Sequence, residues 1–184
     1  MSGGYAIELA VGRSYREHAD VDITVLRRDQ QVMRALLADW DVHAADPPGT
    51  LRPWPVGEVL PDHVHDIWVR EHPGGPWRFQ VMLDEADGEK WVYRRDPRIR
   101  RPLSTLTITD NGIARIAPEV QLLFKAKSPR PKDELDFTER CPCSMAYDVA
   151  GWMRPSRSST EIIRGVRGCG TDPDVLTDRP PRTR

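Results

Sequence analysis

Ser2-Gly3-Gly4-Tyr5-Ala6-Ile7, then Gly12-Arg13, then Arg16-Glu17-His18-Ala19-Asp20-Val21-Asp22-Ile23 is the stretch on which the fold turns. Ile7, Leu9, Ala10 and Val11, set between the glycine pair and Gly12, predict a short helix over residues 5–12. Asp20 to Val25 alternates polar and apolar residues, which predicts a half-buried strand with Asp20, Asp22 and Thr24 on one face. Two carboxylates at i and i+2 of a strand point the same way, and parallel hard oxygen donors suit Mg²⁺. Backbone N–H groups at a helix start hold phosphate oxygens where no Cβ intervenes, which makes Gly3 and Gly4 candidates for a phosphate cradle. Taken singly, the carboxylates read as a solvated strand face and the glycines as a loose terminus. Their combination carries the metal and phosphate reading.

Downstream, Val32, Leu36 and Leu37 recur at helical spacing and predict a helix over 28–39. Trp40 to Ala45 reads as a strand, and the Pro-rich run from Asp46 to Pro55 as a surface loop. Strands are expected at 64–70, 77–84 and 90–93, the first two joined by a Pro-Gly-Gly-Pro turn. Asp84 is expected to end its strand on the more polar face, where it becomes the candidate third carboxylate of a two-metal clamp. Asp110-Asn111-Gly112 predicts a hairpin turn. Ala117-Pro118-Glu119 predicts a helix start, with a further helix from Pro131.

With 184 residues the chain has room for one domain and an appendage, and enough length to bury a core without metals or disulfides. Lys plus Arg number 27 against 28 acidic residues, a net charge of -1, so no overall field draws in nucleic acid or anionic membrane. The longest apolar run, Ala35 to Ala38, is far short of the roughly 18 residues of a membrane span, and a soluble, cytoplasmic protein is expected. The three cysteines, Cys141, Cys143 and Cys169, form no disulfide framework.

Together, the glycine pair, the helix and Asp20-Val21-Asp22 resemble the nucleotidyltransferase fold of the DNA polymerase β superfamily, and most closely the aminoglycoside 2''-adenylyltransferase-like proteins. The likeness continues through Asp46-Pro-Pro-Gly-Thr-Leu-Arg-Pro-Trp, His65-Asp66-Ile67-Trp68, Gln80-Val81-Met82-Leu83-Asp84-Glu85, Arg94-Arg95-Asp96-Pro97-Arg98, Ala117-Pro118-Glu119-Val120-Gln121-Leu122-Leu123 and Arg130-Pro131-Lys132-Asp133-Glu134-Leu135-Asp136-Phe137, covering about residues 2–140. It implies an α/β (α+β) fold, a mixed sheet flanked by helices with a short C-terminal helical segment. The expected divisions are a nucleotidyltransferase domain at 1–116, a helical segment at 117–140 and an irregular or disordered tail at 141–184.

The implied chemistry is Mg²⁺-dependent transfer of AMP from ATP to a hydroxyl of a small molecule, an aminoglycoside being the suggested acceptor. The resemblance makes Asp20 and Asp22 ligands to two Mg²⁺ ions, Asp84 the third ligand and base, Gly3 and Gly4 the phosphate cradle, and Lys125 and Lys132 cations against the triphosphate. The likeness departs at both ends. The family has a helix and a strand before Gly-Gly, where this sequence has Met1 and Ser2, so a truncated first strand is expected; past Arg140 the text turns Cys- and Arg-Pro-rich, as a frameshifted or unrelated tail would. Two other readings stay open: a toxin-like enzyme acting on tRNA or protein, and a non-catalytic remnant.

Other features carry less. His63 and His65 share one face of a possible strand, but zinc lacks a clear third and fourth ligand. The run Arg94, Arg95, Arg98, Arg100 and Arg101 has no interleaved aromatics for stacking single-stranded nucleic acid. Trp68 and Trp91 are expected in the core; Trp54 and Trp77 pack there or line an acceptor pocket.

Overall fold

The computed structural model describes residues 1–140; the expected tail at 141–184 lies outside the described residues. The chain folds as mixed α and β structure, mostly antiparallel with one parallel pair. Helix α1 (Gly3–Val11) leads into strand β1 (Asp22–Leu26). After a 3₁₀ turn and α2 (Gln30–Leu36) come β2 (Asp41–Ala45), β3 (Leu51–Pro53), β4 (Asp66–Arg70) and β5 (Phe79–Asp87). Strands β6 (Lys90–Val92) and β7 (Arg100–Pro102), the hairpin β8 (Thr107–Asp110) and β9 (Ile113–Ile116), and helices α3 (Pro118–Lys125) and α4 (Pro131–Arg140) complete it.

Strand β5 is the hub. Its first part pairs parallel with β1 and antiparallel with β4, and Glu85 to Asp87 pair with β6. Beyond β4 lie β2 and then the edge strand β3, where Pro53 is tolerated because an edge needs fewer donors. Alternation sorts the faces. Ile23, Val25, Val81, Leu83, Ile67, Val69, Val42 and Ala44 join one apolar cluster with Trp54, Leu60 and Val64. The other face carries a row in register, Asp22 beside Gln80, Gln80 beside Trp68, Trp68 beside His43.

A second cluster unites Ala6, Trp91, Tyr93, Ile116, Val120 and Leu123, and a third unites Ile7, Leu122 and Phe137. These clusters clamp α3 and α4 onto α1. Asn111 (φ 48°) and Gly112 (φ 77°) take the two left-handed positions of the expected hairpin turn.

Several expectations are corrected. The first helix begins at Gly3 and absorbs the glycine pair into its first turn. The first strand begins at Asp22, leaving Asp20 on the lead-in. Asp84 lies inside β5, because β6 extends that strand to Asp87, and it is buried at 3% exposure. Trp68 is half-buried on the face opposite the core, whereas Trp54 and Trp91 are fully buried. Among the described residues no helix is long and apolar enough to cross a membrane.

Candidate functional site

A cavity of about 460 Å³ opens where the start of α1, the 13–21 loop, β1, β5 and the α3–α4 corner meet. Gly4, Asp20, Asp22, Gln80, Lys125 and Lys132 line it, with Arg16, His18, Arg95, Lys127, Arg130 and Asp133. Six cationic side chains thus face the same space as three carboxylates, which favours a polyanion with several negative charges.

The two glycines do different work. Gly3 donates its N–H to Gln121 Oε1 at 2.8 Å, so that amide is committed to α3 and not free for phosphate. Gly3 instead makes room, since a Cβ there would lie 2.0 Å from Asp22 Oδ2. Gly4 lines the cavity, and a Cβ on it would meet Arg16 Nη2 at 2.0 Å and His18 Cε1 at 2.3 Å. Gly3 also has φ +68°, a conformation that costs an L-residue about 1–2 kcal/mol. Gly3→Ala is therefore expected to lower the melting temperature by at least about 3 °C, read by thermal unfolding. An unchanged midpoint would contradict the close packing of Gly3 on Asp22.

Burial raises the Asp22 carboxyl above its usual range, and the charge of Asp20 adds to the rise; Lys125, Lys132 and Arg130 pull the other way. Two carboxylates crowded in this manner fit a divalent cation that takes a pair of protein oxygens and fills its shell with phosphate and water, the usual habit of Mg²⁺. A three-carboxylate clamp does not fit. Among the described residues no three His, Cys, Asp or Glu side chains group as a metal site.

Asp84 is not brought to Asp20 and Asp22. In the register Asp22 faces Gln80 and Asp84 faces Leu26, four residues further on, or about 13 Å along the strand. Asp84 Oδ2 instead accepts a hydrogen bond from Trp91 Nε1 at 2.8 Å, and burial pushes its carboxyl up to about 6. The register neighbour of Asp22 on β5 is the neutral Gln80.

Lys125 reaches the cavity wall already paired. Its Nζ lies 2.7 Å from Asp133 Oδ1 and 2.8 Å from Asp136 Oδ2, and only 7% of its side chain is exposed. Asp136, fully buried, also accepts from Tyr15 Oη at 2.7 Å and from Arg16 Nε at 2.8 Å. Burial opposes ionisation of Asp133 and Asp136, but the bonds from Arg130, Lys125 and Arg16 win and hold both carboxyls below their usual range. Lys132 and Lys127 have no ion pair among the described residues; Lys132 acts on Asp22 through its charge.

The sequence does not single out Arg16, His18 or Arg130 as site residues, and it offers Arg95 only as part of the basic run. Arg16 and His18 stand in the string between Gly-Gly and Asp-x-Asp, so the signal was present. Glu8 places them. It accepts from the N–H of Tyr15 at 2.9 Å, the N–H of Arg16 at 3.1 Å and Ser14 Oγ at 3.0 Å, which folds the loop back over α1. The His18 ring stacks on Tyr5, centroids 4.0 Å apart.

The remaining candidates separate. His63 is exposed beside Asp46, while His65 Nδ1 sits 3.0 Å from Arg27, so the two histidines share no metal position. In the arginine run, Arg98 pairs with Asp96, Arg100 with Asp87 and Arg101 with Glu119. Arg94 and Arg95 stack on Phe124. That run is largely neutralised and offers no continuous cationic track. The pair Cys141 and Cys143, with Cys169, lies outside the described residues. Comparison with protein-family models, curated proteins and solved structures finds no match for this chain.

Proposed function

We propose that the chain is a Mg²⁺-dependent nucleotidyltransferase of the DNA polymerase β type, similar to aminoglycoside 2''-adenylyltransferase-like proteins, moving AMP from ATP to a hydroxyl of a small molecule. The observation that carries this is one cavity in which Gly4 and the adjacent pair Asp20 and Asp22 face Arg16, Arg95, Lys127, Arg130 and Lys132. In this reading Asp20 and Asp22 hold Mg²⁺, which supplies charge neutralisation on the phosphates. The cations spread along the α3–α4 corner bind the triphosphate and steady the leaving pyrophosphate. Positioning provides the rest, because phosphoryl chemistry asks little covalent work of a protein. The new bond joins the acceptor oxygen to the α-phosphorus, the bond from that phosphorus to pyrophosphate breaks with its electron pair going to pyrophosphate, and the proton of the acceptor hydroxyl passes to water. A small acceptor is preferred to RNA because the arginine run outside the cavity is paired with carboxylates.

Calorimetric titration of ATP with and without Mg²⁺ tests the reading on the full chain and on an Asp20→Ala, Asp22→Ala double variant. The parent is expected to bind ATP at least tenfold more tightly with Mg²⁺, and the variant to lose that gain. A parent that binds no ATP, or a variant that retains the Mg²⁺ effect, overturns it.

A further inference from the structure

We infer that Arg95, held against the Phe124 ring, is the platform on which the base of a nucleotide stacks when its phosphates fill this cavity. The placing of those phosphates at Asp20 and Asp22 rests on the transferase reading; the platform itself does not.

Three observations carry it. The first is how the platform is built. The Arg95 guanidinium lies 5.6 Å from the centre of the Phe124 ring, and its Nη1 donates to the Phe124 carbonyl oxygen at 2.8 Å. Phe124 is itself wedged edge to face against Tyr93 and Trp91, with centroids 5.1 Å and 6.0 Å away. A guanidinium backed by a braced ring is a planar cation with little freedom left to lose, and such a plane stacks on the π face of a base. The basic run in the sequence has no aromatic within it; α3 brings one to Arg95 from 29 residues away.

The second is availability. Arg95 is exposed and lines the cavity together with Phe124. Arg98, Arg100 and Arg101 of the same run are each paired with a carboxylate, as are Arg16, Lys125 and Arg130 on the other cavity walls. Among the described residues Arg95 has no carboxylate partner, and a backbone oxygen fixes it without neutralising it. One such plane takes one base. The site therefore fits a mononucleotide and not a single strand, which needs successive platforms.

The third is spacing. Strand β6 runs antiparallel to β5 with Val92 opposite Glu85, so the chain that leaves β6 for Arg95 heads back along β5 towards Met82. Met82 and Arg95 line the cavity together. Asp22 stands beside Gln80, two residues further along β5, or about 7 Å. A ribose bridges that interval, with its base on Arg95 and its α-phosphate near Asp22. Lys127, Arg130 and Lys132 are left for the outer phosphates.

Two probes are titrated calorimetrically, with and without Mg²⁺, into the full chain, Arg95→Lys and Arg95→Ala: α,β-methylene ATP, which carries a base, and inorganic tripolyphosphate, which does not. With Mg²⁺ the parent is expected to bind the nucleotide at least tenfold more tightly than tripolyphosphate. Both variants should lose most of that gain, and Arg95→Lys, which keeps the charge and loses the plane, should hold tripolyphosphate within twofold of the parent. Thermal unfolding confirms that each variant is folded. Unchanged nucleotide affinity in Arg95→Lys overturns the inference, and so does an equal fall for both probes, which would make Arg95 a cation for phosphate. Failure of the transferase reading alone looks different: nucleotide binding that depends on Arg95 but is indifferent to Mg²⁺. A parent that binds neither probe overturns both.

Discussion

Asp136→Ala is expected to destabilise the fold by about 3–5 kcal/mol, a fall of roughly 10 °C in melting temperature. Asp136 is fully buried and is the common acceptor for Tyr15, Arg16 and Lys125. Among the described residues, removing it leaves Lys125 with Asp133 alone and Arg16 with no carboxylate partner, both in a setting poor in water. The bond network also ties α4 to the 13–21 loop and to α3, so the loss spreads to the wall of the cavity. Because the carboxyls of Asp133 and Asp136 lie below their usual range in the fold, their stabilisation is complete above the ordinary aspartate range and is lost as pH falls below it. Thermal unfolding of parent and variant at pH 7 measures the effect. A change below about 1 kcal/mol would show that the cluster is no stabilising clasp.

The cluster also bears on what the sequence made legible. Lys125 was readable as a cation near phosphate, but its neutralisation by Asp133 and Asp136 was not, since those contacts join two helices and depend on how the helices cross. The period-2 pattern Asp-Ile-Trp-Val-Arg at 66–70 did hold the position of Trp68: with Ile67 and Val69 inward, alternation sends Trp68 outward beside Asp66. Aromatic size argued for the core, and the alternation overrode it. The Asn-Gly turn was legible because its backbone demands are local. Strand β7 was not, because Arg-Arg-Pro has no strand pattern of its own and pairs only with β6 already in place.

Gly3, Gly4, Asp20 and Asp22 illustrate the same division at the site. Their types and spacing were visible, and the fold gathers Gly4, Asp20 and Asp22 in one cavity. The division of labour between the glycines was not visible, since it depends on Gln121, which is 118 residues from Gly3 in the chain. A glycine that clears space for a carboxylate and one that faces the ligand look identical in sequence.

Asp84→Asn is expected to flatten the pH dependence of stability without touching nucleotide binding. The Asp84 carboxyl sits at about 6 in the fold against an ordinary 3.8, chiefly through burial, with the Trp91 bond and Arg94 offsetting part of the cost. Ionisation therefore costs more in the folded chain than in the unfolded one. The contribution of the protonated group is fully present below pH 3.8, falls as pH rises towards 6 and is gone above it. A gap of about two pH units, at roughly 1.36 kcal/mol each, amounts to about 3 kcal/mol. Asparagine keeps an oxygen for Trp91 Nε1 and cannot ionise. The stability difference between variant and parent should thus move in favour of the variant by about 2 kcal/mol between pH 4 and pH 7.5, the unfolded group being already more than half ionised at pH 4, measured by urea unfolding. Subtracting one protein from the other removes the titration of the remaining carboxylates. The same variant should bind the Mg²⁺–ATP complex within twofold of the parent, because Asp84 sits about four strand residues from the level of Asp22. A flat difference across that range would deny the buried charge, and a large loss of nucleotide binding would return Asp84 to the metal site from which the strand register removes it.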